Sequence, residues 1–226
     1  MRVLAIDTAL DACAAGVLDT HRSDLIASET RAMTRGHAEA LMPLLARVMD
    51  EARTEFAELD RIAVTVGPGS FTGVRVGVAA ARGIALAAGK PAVGLSTLAA
   101  FTAPHIAAGF AGTVVAVVDA RHGQVYLQVF GPGGRALVPP RLASVRDAVR
   151  AAGAGAVLIV GTAADRVSAD WPAGEKPPSV VARSAPDIAW VARLGVAAEA
   201  GRAMPKPLYL RRPDARPQDA ARLPRR

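Results

Sequence analysis

The chain has one cysteine, few aromatic residues and no long uninterrupted apolar run. The lone Cys13 excludes an internal disulfide framework and a cysteine-rich zinc site. Aromatic residues make up only 4% of the 226 residues, so an aromatic stacking platform for single-stranded nucleic acid is not expected. The most apolar stretch, 74–95, is interrupted by Arg75, Arg82 and Lys90, so the sequence predicts no membrane-spanning helix. No secretory signal pattern is found, and we expect a cytoplasmic protein.

The positive charge is concentrated at the C-terminus. The chain carries 27 Lys and Arg against 20 Asp and Glu, a formal net charge of +7. Eight basic and two acidic residues lie between Arg202 and Arg226, among five prolines, so the rest of the chain is close to neutral. We expect residues 211–226 to form a basic, disordered tail. The tail either increases solubility or contacts RNA or an acidic partner electrostatically.

Strand and helix patterns in the first half of the chain predict an α/β unit. Three apolar strands come first, then a helix with a leucine-rich stripe over 37–53, interrupted by Pro43 and therefore kinked or late in starting. A small-residue helix follows over 74–88 and ends at Gly89. The strands are expected at 3–6, 12–18, 25–30, 61–66 and 92–95.

The second half of the chain repeats this order. A helix capped by Ser144 is expected over 144–152, and a closing helix over 186–200. The strands are expected at 113–118, 124–130, 135–138, 156–160 and 179–182. A duplicated βββαβα unit is the actin-like (ASKHA) two-lobe architecture. We expect the N-terminal lobe over 1–103 and the C-terminal lobe over 104–210.

Each half has an aspartate turn after its first strand. Enzymes of this architecture hold ATP phosphates in such turns, where glycine lets the backbone approach the ligand. Here the turns read Asp7-Thr8-Ala9-Leu10 and Asp119-Ala120-Arg121-His122, without that glycine. Asp7, Thr8 and Asp119 therefore either form turns or are remnants of a phosphate or metal site.

A glycine-rich loop, 67–73, lies between a predicted strand and a predicted helix. It has neither the Gly-Lys-Ser/Thr of a P-loop nor the glycine spacing of a dinucleotide motif. The simplest interpretation is a sharp turn with a helix cap at Ser70 or Thr72. Gly73 and Gly77 then give the helix a bare face that another helix can approach closely. That second helix belongs either to this chain or to another protein.

The sequence indicates no catalytic residues and no metal site. The four histidines, His21, His37, His105 and His122, are too scattered for a local metal site, and His37 is expected to be a capping or surface residue. No nucleophile and base are paired in a recognisable motif.

Five motifs along the chain are informative when they are taken together. They are Ile6-Asp7-Thr8, His37-x-Glu39-x-Leu41-x-Pro43, the run 63–77, Asp119-Ala120-Arg121 with Val125-Tyr126, and Pro207-x-Tyr209-Leu210-Arg211. With these motifs the chain resembles the bacterial TsaB family over about 1–211. TsaB is the dimerization subunit of the machinery that installs threonylcarbamoyladenosine in tRNA, next to the anticodon.

The resemblance implies an actin-like fold and a non-catalytic scaffold subunit. Its partners would be the catalytic paralogue TsaD and the small ATPase TsaE, with tRNA bound through the complex and a homodimer possible in the absence of TsaD. TsaD carries an H-x-x-x-H metal pair, and the aligned positions here are Thr97 and Phe101, neither of which replaces imidazole. We therefore expect no cofactor in this chain, and ATP and metal in the partner subunits. The alternative is an actin-like ATP-dependent phosphotransferase or hydrolase.

The same resemblance places the partner interface on the helices over about 37–53 and 73–88. Replacing Gly77 by leucine is then expected to block association with TsaD while leaving the fold largely intact. The expected interface residues are His37, Leu41, Leu44, Leu45, Val48, Gly73, Val74, Val76, Gly77, Ala80, Ala81 and Ile84.

Overall fold

The computed structural model describes residues 1–22, 24–199, 201 and 203–211. Apart from Arg211, the expected tail over 211–226 lies outside the described residues. The first unit consists of β1 Arg2–Asp7, β2 Ala12–Asp19, β3 Asp24–Ala32, α1 His37–Glu51, β4 Arg61–Gly67, α2 Phe71–Ala88, β5 Ala92–Ser96 and α3 Thr97–Ala107. The second consists of β6 Thr113–Asp119, β7 Gln124–Phe130, β8 Ala136–Ser144, α4 Val145–Ala152, β9 Val157–Gly161, α5 Ala164–Ala169, β10 Ser179–Ala182 and α6 Ile188–Ala197. Short 3-10 helices lie at Phe56–Glu58 and Pro132–Gly134.

The two units have the same topology, which confirms the duplication. The sheet orders are β3-β2-β1-β4-β5 and β8-β7-β6-β9-β10. In each sheet the first three strands form an antiparallel meander, the fourth strand pairs parallel with the first, and the fifth pairs parallel with the fourth. This is the actin-like two-lobe fold. The five strands of each unit are those expected, but each unit has one further helix, α3 in the first and α5 in the second, so the repeat reads βββαβαβα.

The two faces of the first sheet have different covers. Side chains alternate along β1, so Leu4 and Ile6 point to the side of α1 and α2, while Val3 and Ala5 point to the other side. That other side is covered by α6, the last helix of the second unit. In return α3, the last helix of the first unit, packs against β6 of the second sheet. The boundary expected at 103/104 therefore falls within α3, and each sheet is completed by a helix from the other unit.

Local signals explain where several helices begin and end. As predicted, Ser70 caps α2 by accepting a hydrogen bond from the Gly73 N–H (3.3 Å), and Ser144 caps α4 by accepting one from the Asp147 N–H (3.1 Å). Gly89 ends α2 in the left-handed conformation, with φ of 65°. α1 begins at His37 as expected, which excludes a late start as the effect of Pro43, and Pro43 lies inside the helix on the exposed side.

α2 is the one helix in the described part of the chain whose length and composition would suit a membrane crossing. Five of its apolar side chains are buried in the chain's own core, those of Val74, Val78, Ala81, Ile84 and Ala85. The helix packs on β4 and β1, which is the arrangement of a core helix.

Candidate functional site

A cleft of about 550 Å³ lies between the two units. Its volume is in the range of ligand sites in proteins. The turn after β1 contributes Leu10 and Asp11, and the loop before α2 contributes residues 69–72. The facing unit contributes the turn after β6 and Thr162 at the end of β9, while Tyr126 and Arg211 complete the lining.

Asp7 lies beneath this cleft and is fully buried. Its Oδ1 accepts hydrogen bonds from the Ala9 N–H (3.1 Å) and from the Thr65 hydroxyl. Burial raises the pKa of the Asp7 carboxyl, and these two hydrogen bonds offset only part of that effect. Its Oδ2 has no hydrogen-bond partner among the described residues. Asp7 therefore holds the turn together and does not present a carboxylate to the cleft.

The glycine-rich loop seals the Asp7 turn by packing directly on it. The Ser70 N–H donates to the Ala9 carbonyl (2.7 Å), and the Thr8 hydroxyl donates to the Gly73 carbonyl (2.7 Å). A Cβ atom on Gly69 or Gly73 would lie closer than 3.0 Å to the carbonyl oxygens of Ala9 and Thr8, respectively. These glycines are therefore needed for contact between two backbone segments, as in the turn interpretation of the loop.

Gly77 has a similar internal role. A Cβ atom there would lie 2.5 Å from Thr8 Oγ1 and 3.4 Å from Val64 Cγ2. Leucine at this position would push α2 away from β1 and β4. The expectation that Gly77→Leu leaves the fold intact is therefore wrong, because this face of α2 is already occupied by the chain's own sheet.

Asp119 is in a different environment from Asp7. Its carboxylate is half-exposed, pairs with Arg166 at 3.0 Å and accepts a hydrogen bond from the Arg121 N–H (2.9 Å). The Asp119 N–H donates to the Thr162 hydroxyl (2.8 Å). Arg121 itself adopts a left-handed backbone conformation, with φ of 61°.

The two predicted aspartates, Asp7 and Asp119, are not placed as the metal ligands of a magnesium–nucleotide site. One of the two aspartates is sealed in the core, and the other is engaged by an arginine. In the ranges that the structure describes, no group of three or more His, Cys, Asp or Glu side chains is placed to hold a metal ion. Asp7 and Asp119 therefore do not form a pair of free carboxylates in the cleft, which is the arrangement that would bind the metal of a nucleotide.

Two residues near the Asp7 turn are also buried. His37 begins α1, and its Nε2 lies 3.0 Å from the Leu10 carbonyl oxygen, so its expected capping or surface position is wrong. The position before it, Gly36, has a φ of 83° and provides no side-chain cap. Burial raises the pKa of the Cys13 thiol to about 11, so this thiol is not a nucleophile at neutral pH.

The helices α1 and α2 lie side by side on one face of the first sheet. The structure corrects the expected interface, because most of its residues form the chain's own core on the sheet side of these helices. Val76 and Ala80 are half-buried. The buried residues are His37, Leu41, Leu44, Leu45, Val48, Gly73, Val74, Gly77, Ala81 and Ile84.

A second apolar surface faces away from the sheet. We call it the outer helical face and define it by Met42 and Ala46 of α1 and by Ala79, Gly83 and Leu86 of α2, all of which are exposed. Leu86 is 78% exposed and Met42 is 53% exposed. The sequence signal that could have predicted this surface is the spacing of Ala79, Gly83 and Leu86. It shows that α2 is apolar on two sides, and only one of these sides packs on the chain's own sheet.

Comparisons with known proteins identify the family. The family profile described as "TsaD: tRNA N6-adenosine threonylcarbamoyltransferase" matches residues 25–173, more than half of the chain. A protein of Escherichia coli named "tRNA threonylcarbamoyladenosine biosynthesis protein TsaB" is 35% identical over 126 residues. The chain belongs to the TsaB family. An uncharacterized protein of Mycobacterium tuberculosis is 32% identical over 215 residues, covering 95% of this chain and 94% of that protein.

Solved structures agree with this family assignment. The structure titled "YeaZ from Pseudomonas aeruginosa" matches with a TM-score of 0.73 and 27% identity, over 92% of this chain and 99% of that one. A second Pseudomonas aeruginosa structure, described as similar to peptidase YEAZ, has a TM-score of 0.78 at 28% identity, over 93% and 99% of the two chains. The match to Escherichia coli TsaB covers 56% of this chain and spans about half the length of that relative, 53%.

Thr97 and Phe101, the two positions that the sequence resemblance aligns with a metal pair, are buried. Thr97 and Phe101 lie one helical turn apart on α3. Phe101 belongs to an apolar cluster with Leu98 and with side chains of β6 such as Val114. This turn of α3 therefore packs the two units together and offers no metal-ligand side chain at either position.

Proposed function

We propose that this TsaB-family chain is a non-catalytic scaffold subunit in the biosynthesis of threonylcarbamoyladenosine in tRNA. It binds TsaD and, with TsaE, forms the complex that carries out the modification. It holds no cofactor itself, and ATP and metal belong to the partner subunits. The observation that supports this proposal best is the exposed, apolar outer helical face, and the burial of the Asp7 turn agrees with a non-catalytic role.

The similarity between this chain and TsaD supports a complex in which equivalent helix pairs of the two proteins bind each other. The TsaD profile covers residues 25–173, which include α1 and α2, so TsaD is expected to contain an equivalent helix pair. Two such pairs can bury their outer faces against each other as a bundle of four helices. Small residues such as Ala79 and Gly83 allow the axes to approach, while Leu86 and Met42 supply apolar area. The same geometry permits a homodimer when TsaD is absent.

The test is the association of TsaD with variants of the outer helical face. In size-exclusion chromatography with light scattering, we expect the wild-type chain to form a mixed complex with TsaD of the same organism. Leu86→Glu and Met42→Glu would bury an unpaired carboxylate at the interface, and each should weaken association by about 2 kcal/mol or more. Leu137→Glu is the matched control, because Leu137 is also exposed, at 44%, but lies on β8.

The control distinguishes a local interface from a general effect of added charge. If Leu86→Glu and Met42→Glu bind TsaD as tightly as the wild type, the outer helical face is not the interface. If all three variants lose binding equally, the effect is not specific to that face.

The alternative is an actin-like enzyme that acts on ATP in its own right. The interlobe cleft of about 550 Å³ is the observation in its favour. Isothermal titration of the isolated chain with ATP and Mg²⁺ tests it. Micromolar binding that is lost in Asp119→Ala would favour the enzyme and overturn the scaffold proposal. The absence of heat would agree with the two aspartates being unable to share a metal.

A further inference from the structure

An aromatic pair lies at the mouth of the interlobe cleft, away from the outer helical face. Phe71 lines the cleft, and Tyr209 packs against it with the ring centroids 5.5 Å apart. In the part of the chain that the structure describes, these are the two most exposed aromatic side chains, at 47% and 46%. The low aromatic content argued against a stacking platform, but the fold brings two exposed rings from distant parts of the sequence together.

The ring pair is held in place by its neighbours. The Arg75 guanidinium lies 3.6 Å from the Phe71 ring centroid, and its Nε donates to the Tyr209 hydroxyl oxygen (2.7 Å). The segment that carries Tyr209 is fixed by a hydrogen bond from the Leu208 N–H to the Val66 carbonyl (2.7 Å). Rings that are already ordered lose little conformational entropy when a planar ligand stacks on them.

Cations outnumber carboxylates around the pair. Arg121 lines the cleft with Phe71, and its guanidinium makes no hydrogen bond or ion pair with the described residues. Arg211 also lines the cleft and donates to the Ala120 carbonyl at 2.9 Å. Of the two carboxylates in the lining, Asp119 is already paired with Arg166, which leaves Asp11. The cleft mouth therefore has a positive surplus beside two rings that are each about half exposed.

We propose that this aromatic–arginine cluster, formed by Phe71, Tyr209, Arg75 and Arg121, binds an unpaired nucleotide of single-stranded RNA. A base stacks on the exposed ring faces, and a phosphate pairs with Arg121. The inference rests on the proposed function, which supplies an RNA substrate, and it assigns RNA contact to the cleft side of the chain. A free mononucleotide also carries a base and a phosphate, so the experiment must distinguish binding of RNA from binding of a mononucleotide.

The experiment measures fluorescence anisotropy of a labelled oligoadenylate of about ten nucleotides, within the site sizes of single-strand binders. The full chain is used throughout, so the contribution of residues 212–226 is the same in every variant. Phe71→Ala and Phe71→Leu should each weaken binding at least about fivefold, because a stacking contact is lost, while Phe71→Trp should retain it. Arg121→Ala should lower the slope of log affinity against log salt by about 0.7.

Leu137→Ala and Arg150→Ala are the matched controls. Leu137 is about as exposed as Phe71, and the Arg150 side chain is 79% exposed on α4, remote in the fold from the cleft lining. Both controls should bind the oligonucleotide like the wild type. Circular dichroism melts of all variants confirm that each is folded.

Three results would overturn the proposal. The first is an RNA affinity that does not depend on the cluster: the wild type and the Phe71 and Arg121 variants bind equally, or none of them binds. Absence of binding means no signal at about 0.1 mM protein, which is the weak end of non-specific affinity. The second is full competition by AMP at concentrations equal to the oligonucleotide, which would assign the cluster to a free nucleotide. The third is loss of TsaD association in the Phe71 variants with RNA affinity unchanged, which would make the ring pair a protein contact. TsaD association of the outer-face variants is a separate measurement, so failure of the scaffold proposal is distinguishable.

Discussion

Two glycine-to-alanine substitutions in the same helix should have opposite effects on stability. At Gly73 the new methyl group would lie closer than 3.0 Å to the Thr8 carbonyl oxygen, which is backbone and cannot rotate away. At Gly83 nothing lies within 4 Å of the new methyl group. The intrinsic preference of a helix for alanine over glycine, about 1 kcal/mol, favours both substitutions, so packing alone decides the difference.

The magnitude follows from the contacts around Gly73. Overpacking of a tight interior costs about 1 to 3 kcal/mol. Displacing α2 also weakens the buried hydrogen bond from the Thr8 hydroxyl to the Gly73 carbonyl, at about 1 kcal/mol. After the helix-propensity gain, Gly73→Ala should destabilise the chain by about 1 to 3 kcal/mol, whereas Gly83→Ala should stabilise it by about 1 kcal/mol.

Thermal unfolding followed by circular dichroism measures both variants. For a chain of this size 1 kcal/mol corresponds to about 2 to 4 °C, so Gly73→Ala should lower Tm by about 2 to 12 °C and Gly83→Ala should raise it by about 2 to 4 °C. If both variants shift Tm in the same direction by the same amount, the glycine-rich loop is not packed on the Asp7 turn as described, and the internal role assigned to these glycines is refuted.

Two further predictions concern buried polar groups. Because burial raises the folded-state pKa of Asp7 above its ordinary value of 3.8, its contribution to stability is present at lower pH and is lost as pH rises through the folded-state pKa. Relative to Asp7→Asn, the free energy of unfolding of the wild type should fall by up to about 1.4 kcal/mol per pH unit above pH 4. Urea denaturation at several pH values measures this difference, and a difference that does not change with pH would contradict the prediction. Arg61 donates to the Gly195 carbonyl (2.7 Å) and to the Val196 and Ala198 carbonyls at the end of α6, so Arg61→Met should destabilise the chain by about 2 kcal/mol and speed hydrogen exchange in α6. Arg150→Met, on the exposed face of α4, should change stability by less than about 0.5 kcal/mol, and an equal loss in both variants would refute the role of Arg61.

The sequence predicted best the elements that are determined by residues close to them in the chain. The meander of β1 to β3, the cap at Ser144 and the end of α2 at Gly89 depend on neighbouring residues, and these were predicted correctly. α3 was missed because it is buried on several sides and has no polar face, so its residues show no helical periodicity. α5 was missed because it is only six residues long.

The candidate site was harder to predict because it depends on which side of a helix the chain uses itself. The stripe of Leu41, Leu44, Leu45 and Val48 has the pattern of an interface, but the same pattern is required for packing on the chain's own sheet. The sequence also contained no sign that Tyr209 would lie against Phe71, since only the path of the C-terminal segment past Val66 brings them together.

The exchange of α3 and α6 between the two sheets has a consequence for synthesis on the ribosome. The strands of the first sheet are complete at Ser96, but the helix that covers Val3, Ala5 and Ala63 begins only at Ile188. At the usual rate of translation these roughly 90 residues take about 5 to 20 s. Throughout that interval one apolar face of the first sheet is without its own cover and is available to a chaperone. The N-terminal half therefore cannot mature on its own, and the last helix to be made completes the first sheet to be made.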